Sequence, residues 1–573
     1  MSRNARTSGF PVRRMLVAAL LFAGLVGLAA RAVYLQVLNA DYLQSQGNAR
    51  HSRVVKDNSH RGMILDRNGA PLAVSTPVDS VWAHPATLAE SRERWPALAA
   101  LLELSAKEIA QLLARSGERE FVYLRRHVTP EVAERVAALG IPGVSLLREY
   151  RRYYPLGPVA GHVLGFTNVD DQGQEGIELA YDAWLRAVPG AKRVLKDLQG
   201  NAVEMVESLT LPTPGKDLVV SLDRRIQYLA YRELRAAVET HRARAGSAVV
   251  LDARSGEVLA LVNEPDFNPN NRGSLRSQVF RNRAITDVYE PGSTLKPFTI
   301  AAALESGKFS PRSVIDTAPG LVQVGNKTIH DAHNYGALTV AGVIEKSSNV
   351  GATKIALALN KTALWEMLRR AGFGETTGVR LPGESAGLLN PPSSWVAVDQ
   401  ASIAYGYGIS VTPLQIARAY AVLANEGAAL PLTVLKREAP VTGTRVLSAA
   451  TARELRAMLE LVVDGRGTGR LARVADYRVA GKTGTARKLT EQGYSEERYL
   501  AWFAGFAPAS HPRLVMVVLL DEPRAGGYFG GEVAAPVFAH VMAGALRLLD
   551  IPPDAPRAEP RPILTVKTAG GAG

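Results

Sequence analysis

A chain of 573 residues is too long for one compact core, and 47% hydrophobic with 21% charged residues is a globular rather than a disordered composition. The absence of cysteine excludes thiol nucleophiles, cysteine-ligated zinc and disulfides together. The net charge of +13 suits either an anionic partner or merely a basic surface, and no zinc-finger spacing or aromatic-basic RNA-binding pattern accompanies it, so nucleic acid is not expected as a partner.

The chain opens with Arg3, Arg6, Arg13 and Arg14 ahead of the apolar run Met15 to Ala30. Basic residues before such a run predict a cytoplasmic N-terminus. Sixteen residues are short for a span, but "RAVYLQVL" resumes the apolar character to Leu38, and Arg31 can snorkel. This resumption favours a retained anchor at 15–38, behind a cytoplasmic tail at 1–14, over a signal peptide cleaved at Ala30-Arg31-Ala32.

Residues 40–215 read as a mixed region. The runs Met63 to Leu65 and Leu72 to Val74 flank Asn68-Gly69, a hairpin signal. "WPALAALLELSAKEIAQLLARSG" is helical in pattern, and a glycine-rich stretch follows near 157–190. Pro212, Pro214 and Gly215 mark a boundary, after which a second domain is expected over 216–551. Ile226, Leu229, Ala230, Leu234 and Val238 recur at helical spacing. "AGSAVVLDARSGEVLALVNEP" alternates around Ser255-Gly256 as a hairpin. Helices are expected from Lys296 to about Val463, then strands in "YRVAGKTGTA", "YLAWFAGFAP" and "RLVMVVLLDEP", and a last helix in "APVFAHVMAGALRLL". Strands at both ends with helices between predict an α+β fold, an antiparallel sheet flanked by helices. The Pro-, Ala- and Gly-rich tail at 552–573 reads as disordered.

Three short motifs carry chemistry. In "DVYEPGSTLKPF", Ser293 and Lys296 lie at i and i+3 on one helix face. Ser293 as a simple N-cap would leave Lys296 without a task. As a pair they suit nucleophilic catalysis, because a serine hydroxyl needs a base and a buried lysine with a depressed pKa can be that base. Downstream come S-x-N at Ser347 and Asn349, then K-T-G at Lys482-Thr483-Gly484. Lys482 offers a cation for a substrate carboxylate, Thr483 and Thr485 offer hydroxyl donors to it, and Gly484 permits close backbone approach. The N–H groups of Ser293 and Thr485 would form an oxyanion hole. Ser347 would relay a proton between Lys296 and a leaving amine, and Asn349 would bond a substrate carbonyl.

Each motif alone is weak; the order S-x-x-K, S-x-N, K-T-G is specific. Three other matches are set aside. Gly383 to Gly387, "GESAG", lacks the strand and helix that a nucleophile elbow requires. "AGKTGT" lacks the first glycine of a phosphate-binding loop. His330 and His333 have no third ligand at a recognisable spacing. No cofactor or metal is therefore expected.

In this motif order the chain resembles the penicillin-binding proteins and serine β-lactamases. More narrowly it resembles the class B penicillin-binding proteins of septal FtsI type over nearly its whole length. "RGMILDRNGAPLA", "GHVLGFTNVDDQGQEGIELAYDAWL", "EPGSTLKPF", "KSSNVG", "AYGYGISVTPLQIARAY", "VAGKTGTA" and "GYFGGEVAAPVF" carry the likeness. The resemblance implies one inner-membrane helix, an elongated pedestal at 40–215 and a periplasmic, β-lactamase-like transpeptidase domain. It implies a serine-type D-Ala-D-Ala transpeptidase. Ser293 would attack the D-Ala-D-Ala bond of a peptidoglycan stem peptide, form an acyl-enzyme and pass it to a neighbouring stem's amine. β-Lactams would acylate the same serine. A septal glycosyltransferase of FtsW type and other division proteins would be partners, with enrichment at the division septum. The rivals are an elongation-type class B transpeptidase, a β-lactam-hydrolysing enzyme and a non-catalytic division scaffold.

Overall fold

The computed structural model describes residues 11–42, 52–117, 119–196, 202–273, 277–464 and 466–555. The expected tail at 1–14 thus lies outside the described residues up to position 10, and the expected disordered tail does so from 556 onward. Residues 552–555 are held in place: Asp554 accepts the N–H groups of Arg478 and Ser510, and Ala555 N–H donates to Asp476.

Helix α1 (Pro11–Val33) continues through a wider turn at Tyr34–Leu38. Together Pro11–Leu38 is, among the described residues, the one helix long and apolar enough to cross a membrane. Arg31 lies over the Tyr34 ring, 5.4 Å from its centroid, an arrangement suited to an interface position.

The chain forms two compact units that are not continuous in sequence. The first holds the described residues within 1–60, 76–151 and 187–214. Its core gathers Val81, Leu88, Leu98, Leu102, Ile109, Leu124 and Val136. The long helical pattern near 95–117 divides at Glu103, which takes a left-handed φ of 52°, and Ser105 starts the next helix with a capping box to Glu108. A separate antiparallel sheet joins Ser52–Asp57, Gly190–Lys196 and Ala202–Thr210.

The second unit holds the described residues within 61–75, 152–186 and 215–555. The predicted hairpin is present: Ile64 pairs with Ala73, Gly69 takes φ 83°, and the Asp66 carboxylate accepts the N–H groups of Asn68 and Ala70. Buried Arg61 and Arg152 both donate to buried Glu178.

The central sheet of this unit follows from short, near-continuous apolar strands, the pattern of strands buried on both faces. In chain order its surroundings are α2 (Arg224–Thr240), β1 (Ala245–Asp252), β2 (Val258–Glu264), α3 (Lys296–Glu305), α4 (Val340–Lys346), α5 (Asn349–Leu357), β3 (Ala480–Thr490), β4 (Gly493–Ala507), β5 (Leu514–Asp521) and α6 (Ala535–Leu548). The sheet order is β2-β1-β5-β4-β3, antiparallel throughout. Every residue of β1 and β5 is buried, so both faces are covered. Val515, Val517 and Leu519 meet the core that contains α3 and the helix Pro413–Ala424. Met516, Val518 and Leu520 meet the core built from α2 and α6.

The stretch between Lys296 and Val463 is less uniformly helical than its composition suggests. Short antiparallel pairs interrupt it: Val314–Asp316 with Ala337–Thr339, Leu321–Val324 with Lys327–His330, and Ala428–Ala429 with Thr444–Arg445. Strands of two to four residues carry too little alternation to compete with a helical reading. The pair ending at His330 is the one that matters, because it delivers Asp331 to the site.

Candidate active site

Ser293 sits on a 3₁₀ turn, Gly292–Leu295, that runs into α3 at Lys296. Pro297 fits the first turn because its missing N–H would have had no partner there. No side chain caps either segment, so the Ser293 hydroxyl is not spent as an N-cap. The turn is fixed by close backbone contact. Gly292 has φ 53° and donates its N–H to Gly406 O at 3.1 Å, and a Cβ on Gly406 would lie 1.9 Å from Gly292 O. Tyr420, fully buried, donates its hydroxyl to Thr294 O.

The Lys296 side chain is fully buried, and its Nζ has four oxygens in reach. Ser347 O lies at 2.5 Å, Asn349 Oδ1 at 2.8 Å, Ser293 Oγ at 3.0 Å and Ser347 Oγ at 3.1 Å. The two nearest are carbonyl oxygens, which only accept. A neutral amine has two N–H donors and one lone pair. With both donors given to those carbonyls, the lone pair is left for a hydroxyl proton, and Ser293 Oγ is the nearest hydroxyl. Burial pushes the Lys296 pKa well below the usual lysine value, the neighbouring Lys482 charge adds to that, and Asp331 opposes it. The first two effects favour the neutral amine, the form in which a lysine acts as a base.

Ser347 and Asn349 bracket the junction of α4 and α5. Ser347 ends α4 with φ 60°, a left-handed conformation uncommon for a residue with a Cβ. Ser348 caps α5 by accepting Gly351 N–H. Asp331, which the sequence pattern did not single out, holds the junction: it accepts Ser348 Oγ–H at 2.6 Å, Asn349 N–H at 2.5 Å and Val350 N–H at 3.0 Å. Asn349 donates through Nδ2 to His330 O at 3.0 Å, which leaves its second amide proton uncommitted.

Lys482 lies on β3, also fully buried. Its Nζ donates to Ser347 Oγ at 2.8 Å, so the Ser347 hydroxyl touches both lysines. Burial lowers the Lys482 pKa to about 7. Thr483 Oγ1 pairs with Thr468 Oγ1 at 2.6 Å. Thr485 Oγ1 accepts Gly530 N–H at 3.0 Å, so its own proton remains to be donated elsewhere. Gly484 is required sterically, since a Cβ there would lie 2.8 Å from Pro291 O and 2.9 Å from Thr294 Cγ2. β3 therefore lies directly against the nucleophile turn, with Gly292 facing the Thr485 carbonyl. All eight predicted site residues are in one neighbourhood. Asp331 and Thr468 join them from loops whose polar residues look ordinary in sequence, and Gly530 joins from the start of the short helix Gly530–Val533.

The remaining motif matches fall elsewhere. Ser385 of "GESAG" accepts Gly387 N–H within a turn. "AGKTGT" is strand, not a phosphate-binding loop. His330 contributes its backbone carbonyl, and the His333 ring meets Tyr335 edge to face.

Comparison with known proteins gives a consistent answer. Residues 246–543 match the penicillin binding protein transpeptidase domain, and residues 56–220 match the penicillin-binding protein dimerisation domain. The chain is 42% identical over 548 residues to peptidoglycan D,D-transpeptidase FtsI of Escherichia coli, covering 95% of this chain and 93% of that protein. It is 41% identical over 560 residues to the probable peptidoglycan D,D-transpeptidase PenA of Neisseria meningitidis, covering 97% and 95%. Among solved structures, the apo transpeptidase domain of Burkholderia pseudomallei penicillin-binding protein 3 aligns with TM-score 0.55 at 45% identity, covering 59% of this chain and 98% of that one. A peptidoglycan synthetase from Bifidobacterium adolescentis aligns with TM-score 0.70 at 26% identity, covering 89% and 98%.

Proposed function

The chain belongs to the FtsI-type class B penicillin-binding proteins, and on that footing we propose that it is a peptidoglycan D,D-transpeptidase working through a Ser293 acyl-enzyme. The observation that carries the reading is the fully buried Lys296, whose Nζ lies 3.0 Å from Ser293 Oγ and whose pKa burial lowers.

The residues divide the work as follows. Lys296 takes the Ser293 proton as Oγ attacks the carbonyl carbon of the D-Ala-D-Ala bond. The Ser293 and Thr485 N–H groups stabilise the tetrahedral oxyanion. The proton held on Lys296 passes through the Ser347 hydroxyl to the departing amine, and D-Ala leaves. The amine of a second stem peptide then attacks the ester, its proton returns through the same groups, and Ser293 Oγ–H is restored. Lys482 in its charged form, with the hydroxyls of Thr483 and Thr485, holds the terminal carboxylate. Gly484 lets the strand approach, and the uncommitted Asn349 amide proton bonds the substrate's peptide carbonyl. A β-lactam, whose reactive amide and carboxylate mimic the same bond, acylates Ser293.

The site of action is the division septum, a reading supported by relatives that carry the FtsI name. α1 anchors the chain in the inner membrane with its N-terminus cytoplasmic and residues beyond 38 periplasmic. A septal glycosyltransferase of FtsW type and other division proteins are the partners, met through the anchor and the non-catalytic region 40–215.

The test is labelling of the protein and its Ser293→Ala variant with a fluorescent penicillin. A long-lived adduct on the parent that the variant lacks is the expected result. Rapid penicillin turnover would move the reading to a hydrolase, and a folded but unlabelled parent would move it to a scaffold.

A further inference from the structure

The strand that carries Lys482, Thr483 and Thr485 continues three residues further to Lys488, a residue with no part in the chemistry above. The register between β3 and β4 slips between Arg487 and Leu489, so Lys488 occupies a bulge. Bulges re-aim side chains, frequently beside active sites. Here the bulged lysine reaches β5, two strands away, and donates to Asp521 Oδ1 at 2.6 Å, Asp521 Oδ2 at 2.8 Å and Glu522 Oε1 at 2.8 Å. The group is mostly buried, with side-chain exposures of 17% for Lys488, 6% for Asp521 and 3% for Glu522. Glu522 takes φ 54°, the left-handed region that a residue with a Cβ occupies only when its surroundings impose it. Two exposed arginines, Arg244 at 3.2 Å and Arg524 at 3.0 Å, complete the charges around Glu522. Burial pushes both carboxyls up. For Glu522, hydrogen bonds from Lys488 and Arg524 outweigh this and bring it to about 2, whereas Asp521 remains raised.

Glu522 is also where the chain leaves β5 for the segment that returns to the site. That segment is tied down in the middle and at its far end. Arg524 and Ala525 N–H groups donate to His241 O, and His241 Nδ1 faces Ala525 O at 2.9 Å. Tyr528 stacks on Tyr499 at 4.0 Å, and Gly530 N–H ends on Thr485 Oγ1. The stretch 522–530 is thus joined to β3 at two points only three residues apart, Thr485 and Lys488. Because Gly530 N–H occupies one lone pair of Thr485 Oγ1, the position of this strap decides where the Thr485 proton points.

We propose that Lys488 is a positioning residue for the substrate-carboxylate subsite: through Asp521 and Glu522 it fixes the strap 522–530, and through Gly530 the strap orients the Thr485 hydroxyl. The inference rests on the reading that Ser293 is acylated with its carboxylate partner at Lys482, Thr483 and Thr485. Removing the Lys488 ammonium leaves two buried carboxylates sharing one site without their closest cation, and the strap's origin is then held only by the Glu522 N–H bond to Tyr499 O and by the exposed Arg244 and Arg524, which lets it shift.

The experiment uses the full chain in detergent and measures acylation by benzylpenicillin in time-resolved form. This separates the apparent dissociation constant K from the acylation rate constant k2, and counts sites that label. Lys488→Met is expected to raise K by about tenfold, the size a slightly misplaced binding group produces, while k2 changes much less. Lys488→Arg, which restores a cation, is expected to recover most of the loss. Asp521→Asn with Glu522→Gln should raise K in the parent yet add little to Lys488→Met, because the three act as one unit. A Lys488→Met protein with parental K overturns the proposal. So does one in which only the number of labelling sites falls, since that is loss of folding without repositioning. If the parent itself fails to label, the functional reading fails, and that result is distinct from either.

Discussion

Two lysines of identical chemistry stand within reach of one serine, and the mechanism needs them in opposite charge states. The structure makes this testable through pH. Lys482 has a pKa of about 7, lowered by burial. Lys296 is also lowered well below the ordinary lysine value, by burial first and by the Lys482 charge second. The second-order acylation constant, k2/K, reports the free enzyme's groups. Below the Lys296 pKa the base is protonated, so k2/K rises as pH increases through it. Above about 7 the free enzyme loses the Lys482 charge, so k2/K falls, approaching tenfold per pH unit if only the charged form accepts the carboxylate. The profile is therefore a bell with its alkaline limb near 7. The assay is penicillin acylation followed from pH 5 to pH 9 in buffers of constant ionic strength, with the total of labelled sites as the control for folding. The decisive variant is Lys482→Arg, because a guanidinium does not titrate in this range. Its absolute rate falls, since the fork does not match the ammonium's place, but its alkaline limb should vanish. A limb that persists in Lys482→Arg assigns the titration to another group and refutes the division of labour between the two lysines.

Three further outcomes follow from the geometry. Gly484→Ala places a methyl 2.8 Å from Pro291 O; backbone cannot yield there as a flexible side chain would, so about 1–3 kcal/mol of stability is lost. The shifted nucleophile turn should cut penicillin acylation by about a hundredfold, read from labelling kinetics and a thermal melt. Asp331→Ala removes the acceptor of three hydrogen bonds at the start of α5, which should cost about 1–2 kcal/mol, as caps of this kind do. It also removes the one anion that opposes the Lys296 shift, so the acidic limb of the profile should move to lower pH in the same protein. For stability, the folded chain binds fewer protons at Lys482 than the unfolded chain between about 7 and the free-lysine value near 10, so this group's contribution rises with pH across that window. In chemical denaturation at pH 7.5 and 9.5, Lys482→Met should therefore gain less stability with pH than the parent.

What could be read in the sequence was local, and what could not was relational. The hairpin at Asn68-Gly69, the helix with Ile226, Ala230 and Leu234 inside, and the strands around Lys482 each declare themselves through a turn residue or a period. The pairing of Arg61 with Glu178 spans 117 positions, and no periodicity reports it. The same holds for the assignment of 61–75 and 152–186 to the unit that contains the site. Asp331 was invisible because a carboxylate in a polar loop is unremarkable until a four-residue strand pair places it under a helix N-terminus.

The sharpest case is the lysine pair itself. The i, i+3 spacing of S-x-x-K puts Lys296 beside Ser293 and names it as the base, but residue type alone does not say how its protonation differs from that of Lys482. That difference is made by acceptors. Lys296 spends both donors of its neutral form on the Ser347 and Asn349 carbonyls, which leaves a lone pair for Ser293. Lys482 donates to one hydroxyl and one carbonyl, and keeps a third ammonium proton for an incoming carboxylate. The Ser347 carbonyl can serve Lys296 only because Ser347 adopts a left-handed backbone. A strained torsion on a serine, held by the Asp331 cap one residue away, is thus what converts a repeated cation into a base and an anion receptor.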